Sequence, residues 1–217
     1  MTPSALEAPL RTGLAALSLD VSAAQIQGLL DYVALIAKWT QVYNLTALRD
    51  PPSILSHHIL DSLAVLPPLR AHMQAWGCDA VLDVGSGAGL PGVVIALCCP
   101  GLRVDCVDTV GKKAAFIQQA ALALKLPHLR GLHARVEQLT GRYPVITSRA
   151  FASLPDFVTA SGAQLASGGV WMAMKGQTPD AEIAALPVDV EVFHVEPLVV
   201  PRLEGQRCLV WMRKKTA

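Results

Sequence analysis

A glycine-rich stretch, LDVGSGAGLPG over residues 82–92, holds the residue types best suited to chemistry in this sequence. One spacing within it is Gly87-x-Gly89-x-x-Gly92, in which glycines allow a backbone turn to approach a pyrophosphate at a helix N-terminus. This spacing predicts a dinucleotide site, and with it an NAD(P)-dependent oxidoreductase. Three glycines at this spacing are, however, a weak signal by themselves.

A second spacing in the same stretch begins earlier, as Asp83-x-Gly85-x-Gly87-x-Gly89. A carboxylate that closes a strand and is followed by alternate glycines resembles the S-adenosylmethionine loop of Rossmann-like methyltransferases. A carboxylate at the entrance of the loop would repel a pyrophosphate, whereas S-adenosylmethionine carries an ammonium and a sulfonium group. The charge of Asp83 therefore favours the methyl donor.

Two acidic residues further along the chain could bind the nucleoside part of either ligand. Asp108 ends the next predicted strand after the glycine loop, and both ligands present a ribose diol whose hydroxyls can donate to a carboxylate. Glu137 follows the third predicted strand, where its carboxylate could accept a hydrogen bond from an adenine amino group. Asp108 does not distinguish the two ligands, and Glu137 favours S-adenosylmethionine only weakly.

The elements that position these residues follow from the pattern of apolar residues. From Ala80 onward, short apolar runs alternate with helical ones, which is the rhythm of a parallel sheet. Strands are predicted over 80–84, 103–108, 129–133, 145–148, 170–174, 190–195 and 207–212, with helices over 90–99, 112–125, 154–165 and 180–186. The last two strands have no helix between them and predict a terminal antiparallel hairpin. This pattern predicts the fold class α/β with a central, mostly parallel sheet, and the likeness of the glycine loop to those of methyltransferases implies a Rossmann-like class I S-adenosylmethionine-dependent methyltransferase.

The region over 1–75 carries helical patterns and no strand pattern. Ser22 and Gln25 form a capping box at the start of a helix that ends near Trp39. A second helix is predicted over 53–66, where two prolines stop it, and the residues before Ser22 are expected to be loosely structured. A helical N-terminal extension of this kind, ahead of the sheet, is familiar in methyltransferases and unusual in small dehydrogenases.

Length and composition limit the organisation of the chain. The 217 residues, 52% of them hydrophobic and 16% charged, suffice for one core. We expect a helical extension over 1–75 and a cofactor-binding core over 76–217, joined in one compact unit. The apolar run over 93–99 is far shorter than the roughly 20 residues that span a bilayer. Because the N-terminus does not resemble a secretory leader, we expect a cytoplasmic protein that binds no membrane, and we expect it to be a monomer. The five cysteines show no spacing typical of a metal site.

Five motifs occur in a fixed order along the chain. They are NLTA over 44–47, HILDS over 58–62, DVGSGAGLPG over 83–92, SRAFA over 148–152 and KG over 175–176. Together they resemble the bacterial small-subunit ribosomal RNA guanine-N7 methyltransferases, once called glucose-inhibited division protein B. The similarity extends from about Leu29 to Met212.

This resemblance implies transfer of a methyl group from S-adenosylmethionine to N7 of one guanine in the 530 loop of 16S rRNA, free or in a small-subunit precursor. By position, Gly85 and Leu90 would line the methionine side of the cofactor, Val136 and Glu137 would lie beside adenine, and Arg149 would stand at the target base. The full expected cofactor set is Asp83, Gly85, Gly87, Gly89, Leu90, Asp108, Val136, Glu137 and Arg149. Methylation of another RNA target is the alternative within this enzyme class.

The chemistry of N7 explains why the sequence shows no obvious catalytic triad. N7 of guanine has an in-plane lone pair and no proton, so the enzyme needs to position it and needs no general base. Arg149 and Lys175 are the predicted catalytic residues, acting by positioning and charge at the ends of consecutive strands. An arginine that bridged O6 and N7 would cover the nucleophile, so Arg149 is expected to hold O6, a phosphate or the cofactor instead.

Polar residues in the N-terminal half have open roles. His57 and Asp61 lie four apart on the second predicted helix, where they could hydrogen-bond to each other or contact RNA. His58 is expected to pack beneath the glycine loop or to order Asp61, and neither histidine is expected to be catalytic. Asn44 and Thr46 could cap the loop between the helices, or contact the cofactor or RNA.

The net charge of +1 argues against RNA binding through a global positive field, but allows a local basic patch. Trp39 and Phe116 are interpreted as core residues rather than as a base-stacking platform. The basic residues available for phosphate are Arg49, Lys112, Lys113, Arg202, Arg207 and the tail over 213–215.

Overall fold

The computed structural model of this protein describes residues 4–215. Its centre is a seven-stranded sheet with the order β3-β2-β1-β4-β5-β7-β6. The strands are β1 (Ala80–Val84), β2 (Arg103–Asp108), β3 (Leu129–His133), β4 (Tyr143–Arg149), β5 (Leu165–Lys175), β6 (Val190–Pro197) and β7 (Cys208–Lys214). Strands β1 to β5 are parallel, and β7 runs antiparallel between β5 and β6. The predicted parallel sheet with a terminal hairpin is confirmed.

Nine α-helices surround this sheet in the described residues. They are α1 (Ser4–Ala16), α2 (Ala23–Tyr43), α3 (Pro51–Ile54), α4 (Asp61–Leu63), α5 (Leu66–Trp76), α6 (Gly92–Cys98), α7 (Gly111–Ala123), α8 (Leu154–Ser161) and α9 (Asp180–Ala184). A π-helical turn, Leu55–Leu60, joins α3 to α4, and a short 3₁₀ turn, Val136–Gln138, follows β3. No helix within residues 4–215 is long and apolar enough to cross a bilayer.

Two predictions about the N-terminal region were wrong. The residues before Ser22 are not loosely structured, because Leu6, Leu10 and Leu14 recur at helical spacing and are buried as one face of α1. Residues 1–3 lie outside the described part. The helix predicted over 53–66 is divided, because α4 ends at Leu63, and Leu66 with the two prolines after it forms the first turn of a new helix, α5, where missing amide protons cost nothing. The capping box at Ser22 forms as predicted.

The helical N-terminal region shares its core with one face of the sheet. Buried leucines of this region, among them Leu29 and Leu60, belong to the same apolar cluster as Val94 of α6 and Val104 of β2. A second cluster covers the opposite face of the sheet. The first cluster therefore contains residues of both the predicted N-terminal extension and the predicted cofactor-binding core. The boundary between these two regions near residue 75 stays a prediction.

Helix α2 runs along the sheet in the same direction as the parallel strands. Near its start, the Gln25 side chain donates to the carbonyl of Leu97, at the end of α6 (3.0 Å). About two turns later, the hydroxyl of Tyr32 reaches the carbonyl of Gly89, in the loop that precedes α6 (3.2 Å). Helix α2 thus passes from the amino edge of the sheet to the carboxyl edge, where the predicted site lies.

Candidate active site

The glycine loop joins β1 to α6 at the carboxyl edge of the sheet, and its backbone explains its composition. Gly85, Gly87 and Gly89 have φ of +66°, +59° and +80°, a region that side chains disfavour. A Cβ on Gly89 would also lie 2.5 Å from the Cγ2 atom of Val93. Alternate glycines are therefore needed to fold the chain tightly over the end of β1.

Asp83 is buried beneath this loop rather than at its entrance. Its Oδ2 atom accepts a hydrogen bond from the amide of Gly92, the first residue of α6 (2.8 Å), whereas its Oδ1 atom is buried without a partner. Burial raises the pKa of Asp83 from 3.8 to about 7. Because Asp83 already accepts from the first amide of α6, that amide is not free for a pyrophosphate, which argues against a dinucleotide site.

Asp108 bridges the loops that follow β1 and β2. Its Oδ2 atom accepts a hydrogen bond from the Gly87 amide (2.9 Å), and its Oδ1 atom accepts one from the Val110 amide (2.8 Å). The ammonium of Lys113 lies 3.8 Å from Oδ2. A carboxylate has about four lone-pair sites, so Asp108 can still accept hydrogen bonds from a ribose.

An open cleft of about 430 Å³ lies beside Asp108 and the glycine loop. It brings together four residues of the predicted cofactor set, namely Gly85, Asp108, Val136 and Glu137. Phe151 also lines this cleft, after Ala150 with a φ of +58° turns the chain at the end of β4. Contact between these residues and a cofactor stays a prediction.

Arg149, at the end of β4, belongs to a charge cluster that the sequence analysis missed. Its Nη1 atom donates to Oδ2 of Asp61 (3.0 Å) and to the carbonyl of His57 (3.1 Å). The other oxygen of Asp61 accepts from Nε of Arg207 (3.3 Å). Asp61 is 5% exposed, so one buried carboxylate holds two arginines that are far apart in the sequence.

His58 connects Arg149 to the loop after α2. Its Nε2 atom lies 2.6 Å from the hydroxyl of Thr46, and its Nδ1 atom lies 3.4 Å from Nη2 of Arg149. Burial, and then the positive charge of Arg149, lower the pKa of His58 to about 4. The imidazole is therefore neutral at physiological pH and a weak base.

Comparison with known proteins decides between the two ligands that the glycine loop could hold. The profile of the family described as rRNA small subunit methyltransferase G matches residues 25–210. The chain belongs to this family. A relative from Polaromonas sp. strain JS666, named ribosomal RNA small subunit methyltransferase G, is 64% identical over 97% of this chain and 95% of its own. A relative of the same name from Albidiferax ferrireducens is 62% identical over 96% of this chain and 97% of its own.

Solved structures with low sequence identity show the same fold. The glycopeptide N-methyltransferase MtfA, solved with S-adenosylmethionine, superposes with a TM-score of 0.58 at 11% identity, over 73% of this chain and 95% of its own. TrmN from Thermus thermophilus superposes with a TM-score of 0.56 at 20% identity, over 74% of this chain and 53% of its own. The predicted class I methyltransferase fold is confirmed, and membership in the family excludes the oxidoreductase alternative.

Lys175 lies at the same edge of the sheet as Arg149 but has a different partner. Its ammonium is 2.7 Å and 3.0 Å from the two carboxylate oxygens of Glu182 in α9. Glu182 also accepts a hydrogen bond from the amide of Leu154, at the start of α8 (2.6 Å). Lys175 and Arg207 line one cleft of about 580 Å³, and the catalytic role predicted for Lys175 stays a prediction.

The other polar residues of the family motifs are now placed. The His57 side chain does not bond to Asp61, whose two carboxylate oxygens accept from Arg149 and Arg207 instead. Its Nδ1 atom instead lies 2.8 Å from the Ser56 hydroxyl. Asn44 caps α2 with a φ of +50° and accepts a hydrogen bond from Arg49.

A further residue, Tyr32, supports the glycine loop and carried no sequence signal. Its hydroxyl donates to the carbonyls of Ala88 and Gly89, and its ring is fully buried beside Phe116. In the sequence pattern Tyr32 is only one more apolar residue on the buried face of α2. Phe116 is a core residue, as predicted.

Proposed function

We propose that this protein transfers a methyl group from S-adenosylmethionine to N7 of one guanine in the 530 loop of 16S rRNA. The observation that supports N7 is that the titratable side chains in contact with Arg149 in the described residues, Asp61 and His58, are poor bases. The carboxylates of Asp61 and Glu182 are held by cations, and His58 has a pKa of about 4. N7 carries no proton, so its methylation suits a site of this composition.

S-adenosylmethionine is the cofactor, and when bound it supplies an electrophilic methyl group on a sulfonium. The residues of the cleft fit this group. We propose that Asp108 accepts hydrogen bonds from the ribose, and that Val136 and Glu137 contact adenine. Gly85, Gly87, Gly89 and Leu90 would border the methionine part. Asp83, whose buried Oδ1 atom has no partner, would lose its proton when the ammonium binds, because a nearby positive charge lowers the raised pKa of this carboxyl.

We propose that Arg149 holds the guanine or a phosphate without covering N7. An arginine that reads guanine usually bridges O6 and N7 with two parallel hydrogen bonds. In this site Nη1 of Arg149 is already engaged by Asp61 and the His57 carbonyl. The bidentate edge that includes Nη1 is therefore occupied, and the N–H groups on Nε and Nη2 would bind O6 or a phosphate while N7 stays open.

The proposed substrate is 16S rRNA, alone or in a small-subunit precursor, on which the protein acts as a cytoplasmic monomer. The test is primer extension after N7-specific chemical cleavage of 16S rRNA from a strain that lacks this protein. We expect the cleavage at one guanine of the 530 loop to disappear, and to return when the wild-type gene is restored. An unchanged 530-loop modification in the deletion strain would contradict the proposal.

A further inference from the structure

The C-terminal end of α2 extends past the carboxyl edge of the sheet. Tyr32 already lies at the glycine loop, and Tyr43, the last residue of α2, lies three turns nearer the C-terminus. At a rise of about 1.5 Å per residue, this places Tyr43 about 16 Å further along the helix axis. Tyr43 therefore stands on the side of the molecule from which a large substrate must approach the site.

Tyr43 forms part of a supported aromatic surface. It is 45% exposed, and its ring centroid is 5.0 Å from that of Trp39, with a tilt of 37°. Trp39 in turn contacts the buried ring of Phe116 edge-on at 5.3 Å. The half-buried Trp39 packs against the core, as predicted, but it also holds the Tyr43 ring in place with part of that ring open to solvent.

Basic residues flank this aromatic pair. The exposed Arg49 guanidinium is fixed next to the end of α2 by its hydrogen bond to Oδ1 of Asn44 (3.0 Å). Lys112 is exposed one turn before Phe116 and forms no ion pair with any residue in the described range 4–215. The nearest carboxylate in sequence to Arg49, Asp50, accepts from the Ser53 amide and caps α3. The combination of an open aromatic ring and flanking cations is typical of single-stranded nucleic-acid sites.

A continuous set of contacts leads from this surface to the reaction site. The loop after Tyr43 runs through Asn44 to Thr46, whose hydroxyl contacts His58. His58 lies against Arg149 at the end of β4. The aromatic pair and Arg149 are therefore joined by consecutive residues and side-chain contacts at the carboxyl edge of the sheet.

We propose that Tyr43, supported by Trp39, stacks on an unpaired rRNA base near the target guanine, while Arg49 binds a phosphate of the same strand. This inference rests on the proposed function and specifies how the substrate is held. Unpaired loop bases are commonly recognised by stacking on aromatic side chains, whereas an apolar protein partner would not require the flanking cations.

The test compares four variants for binding to small subunits and to a protein-free RNA fragment that contains the 530 loop. Tyr43→Ala and Tyr43→Leu remove the aromatic face, Tyr43→Phe keeps it, and Trp76→Ala removes a 78% exposed tryptophan at the opposite, amino edge of the sheet. We expect the Ala and Leu variants to bind RNA about ten- to a hundredfold more weakly, with unchanged affinity for S-adenosylmethionine. The Phe variant and Trp76→Ala should match the wild type.

Three results would overturn the inference. The first is RNA affinity of Tyr43→Ala within twofold of the wild type, and the second is a Leu variant that binds as well as the Phe variant. The third comes from Tyr43→p-benzoylphenylalanine, irradiated with small subunits, if it cross-links to a ribosomal protein instead of 16S rRNA. Methylation by the wild-type protein distinguishes the two proposals. If the wild type does not methylate the 530 loop, the proposed function is refuted. If it does, and replacing Tyr43 has no effect on RNA binding, only the stacking role is refuted.

Discussion

The buried carboxylate of Asp61 binds both Arg149 and Arg207. Asp61→Asn would remove the charge that fixes both guanidinium groups while keeping the shape of the side chain. We expect the single-turnover methylation rate at saturating cofactor to fall about tenfold or more, since charge-assisted hydrogen bonds contribute about 1.5–3 kcal/mol. The affinity for S-adenosylmethionine, measured by calorimetry, should change less than the rate.

The matched control for Asp61→Asn is Glu191→Gln, which breaks the exposed ion pair with Arg213 on the hairpin (2.6 Å). Surface pairs of this kind contribute about 0–1 kcal/mol to stability. The control should therefore leave the methylation rate and the unfolding free energy nearly unchanged. A wild-type rate for Asp61→Asn would show that Arg149 and Arg207 are positioned without it.

Asp83 predicts a particular dependence of stability on pH. Burial raises its pKa from 3.8 to about 7, although the Gly92 amide and the positive charge of Arg149 act in the opposite direction. Between pH 4 and 7 the folded chain keeps a proton that the unfolded chain has lost, so this group lowers the unfolding free energy as pH rises. Above about pH 7 its effect is constant.

Asp83→Asn cannot ionise, so the variant should gain stability relative to the wild type as pH rises from 4 to 7. The gain should be at most about 4 kcal/mol, because one pKa unit corresponds to about 1.4 kcal/mol. Denaturant titrations at pH 4.5, 6.0 and 7.5 measure this difference. The opposite contribution of His58, whose pKa is lowered, is present in both proteins and cancels. Parallel curves for the two proteins would contradict a raised pKa.

At the residue scale, the sequence predicted the groups that lie close together in the chain or at strand ends. Asp83 and Asp108 could be found because the spacing of strands and glycines in a parallel sheet places them at one edge. The pairing of Asp61 with Arg207 spans 146 residues and leaves no local pattern. Likewise, nothing in the sequence indicated that Lys175 would be bound by Glu182.

At the element scale, helix α2 supports the glycine loop through Tyr32. Tyr32→Phe would leave the carbonyls of Ala88 and Gly89 without this buried donor. We expect the unfolding free energy to fall by about 1–3 kcal/mol and the affinity for S-adenosylmethionine to fall as well, because the loop loses its support. Chemical denaturation and calorimetry measure the two quantities.

Tyr143→Phe provides the control for this prediction, because Tyr143 also has a buried hydroxyl, which donates to Asp105 (2.8 Å). Tyr143 belongs to the apolar cluster on the other face of the sheet, away from the loop. This control should lose stability to a similar degree with no loss of cofactor affinity. If both variants bound the cofactor like the wild type, Tyr32 would be a packing residue only.

The elements of the sheet were predicted more successfully than those of the N-terminal region. Strands in a parallel sheet are short apolar runs bounded by turns, so β1, β2 and β3 match the predicted ranges. Helix α1 was missed because Pro9 lies inside it and its apolar face has only three leucines. The π-helical turn was missed as well, since its residues fit an ordinary helical pattern and the extra residue per turn depends on tertiary contacts.

At the scale of the whole molecule, the N-terminal helices and the sheet stabilise each other. Removing residues 1–76 would expose the face of α6 and the sheet that now packs against Leu29 and Leu60. We expect the truncated chain to lose fixed tertiary structure, with increased binding of a hydrophobic dye and a weakened near-ultraviolet circular dichroism signal. A truncated chain that unfolded cooperatively and bound S-adenosylmethionine would show that the region over 77–217 is independent.

The central claim, that the proposed methyl acceptor is N7 of guanine, is tested most directly by changing that one atom. The purified protein would be incubated with radiolabelled S-adenosylmethionine and small subunits whose 530 loop carries either guanosine or 7-deazaguanosine at the target position. We predict methyl transfer to the guanosine subunits and none to the 7-deazaguanosine subunits, with similar binding of both. Equal labelling of the two substrates would contradict the account.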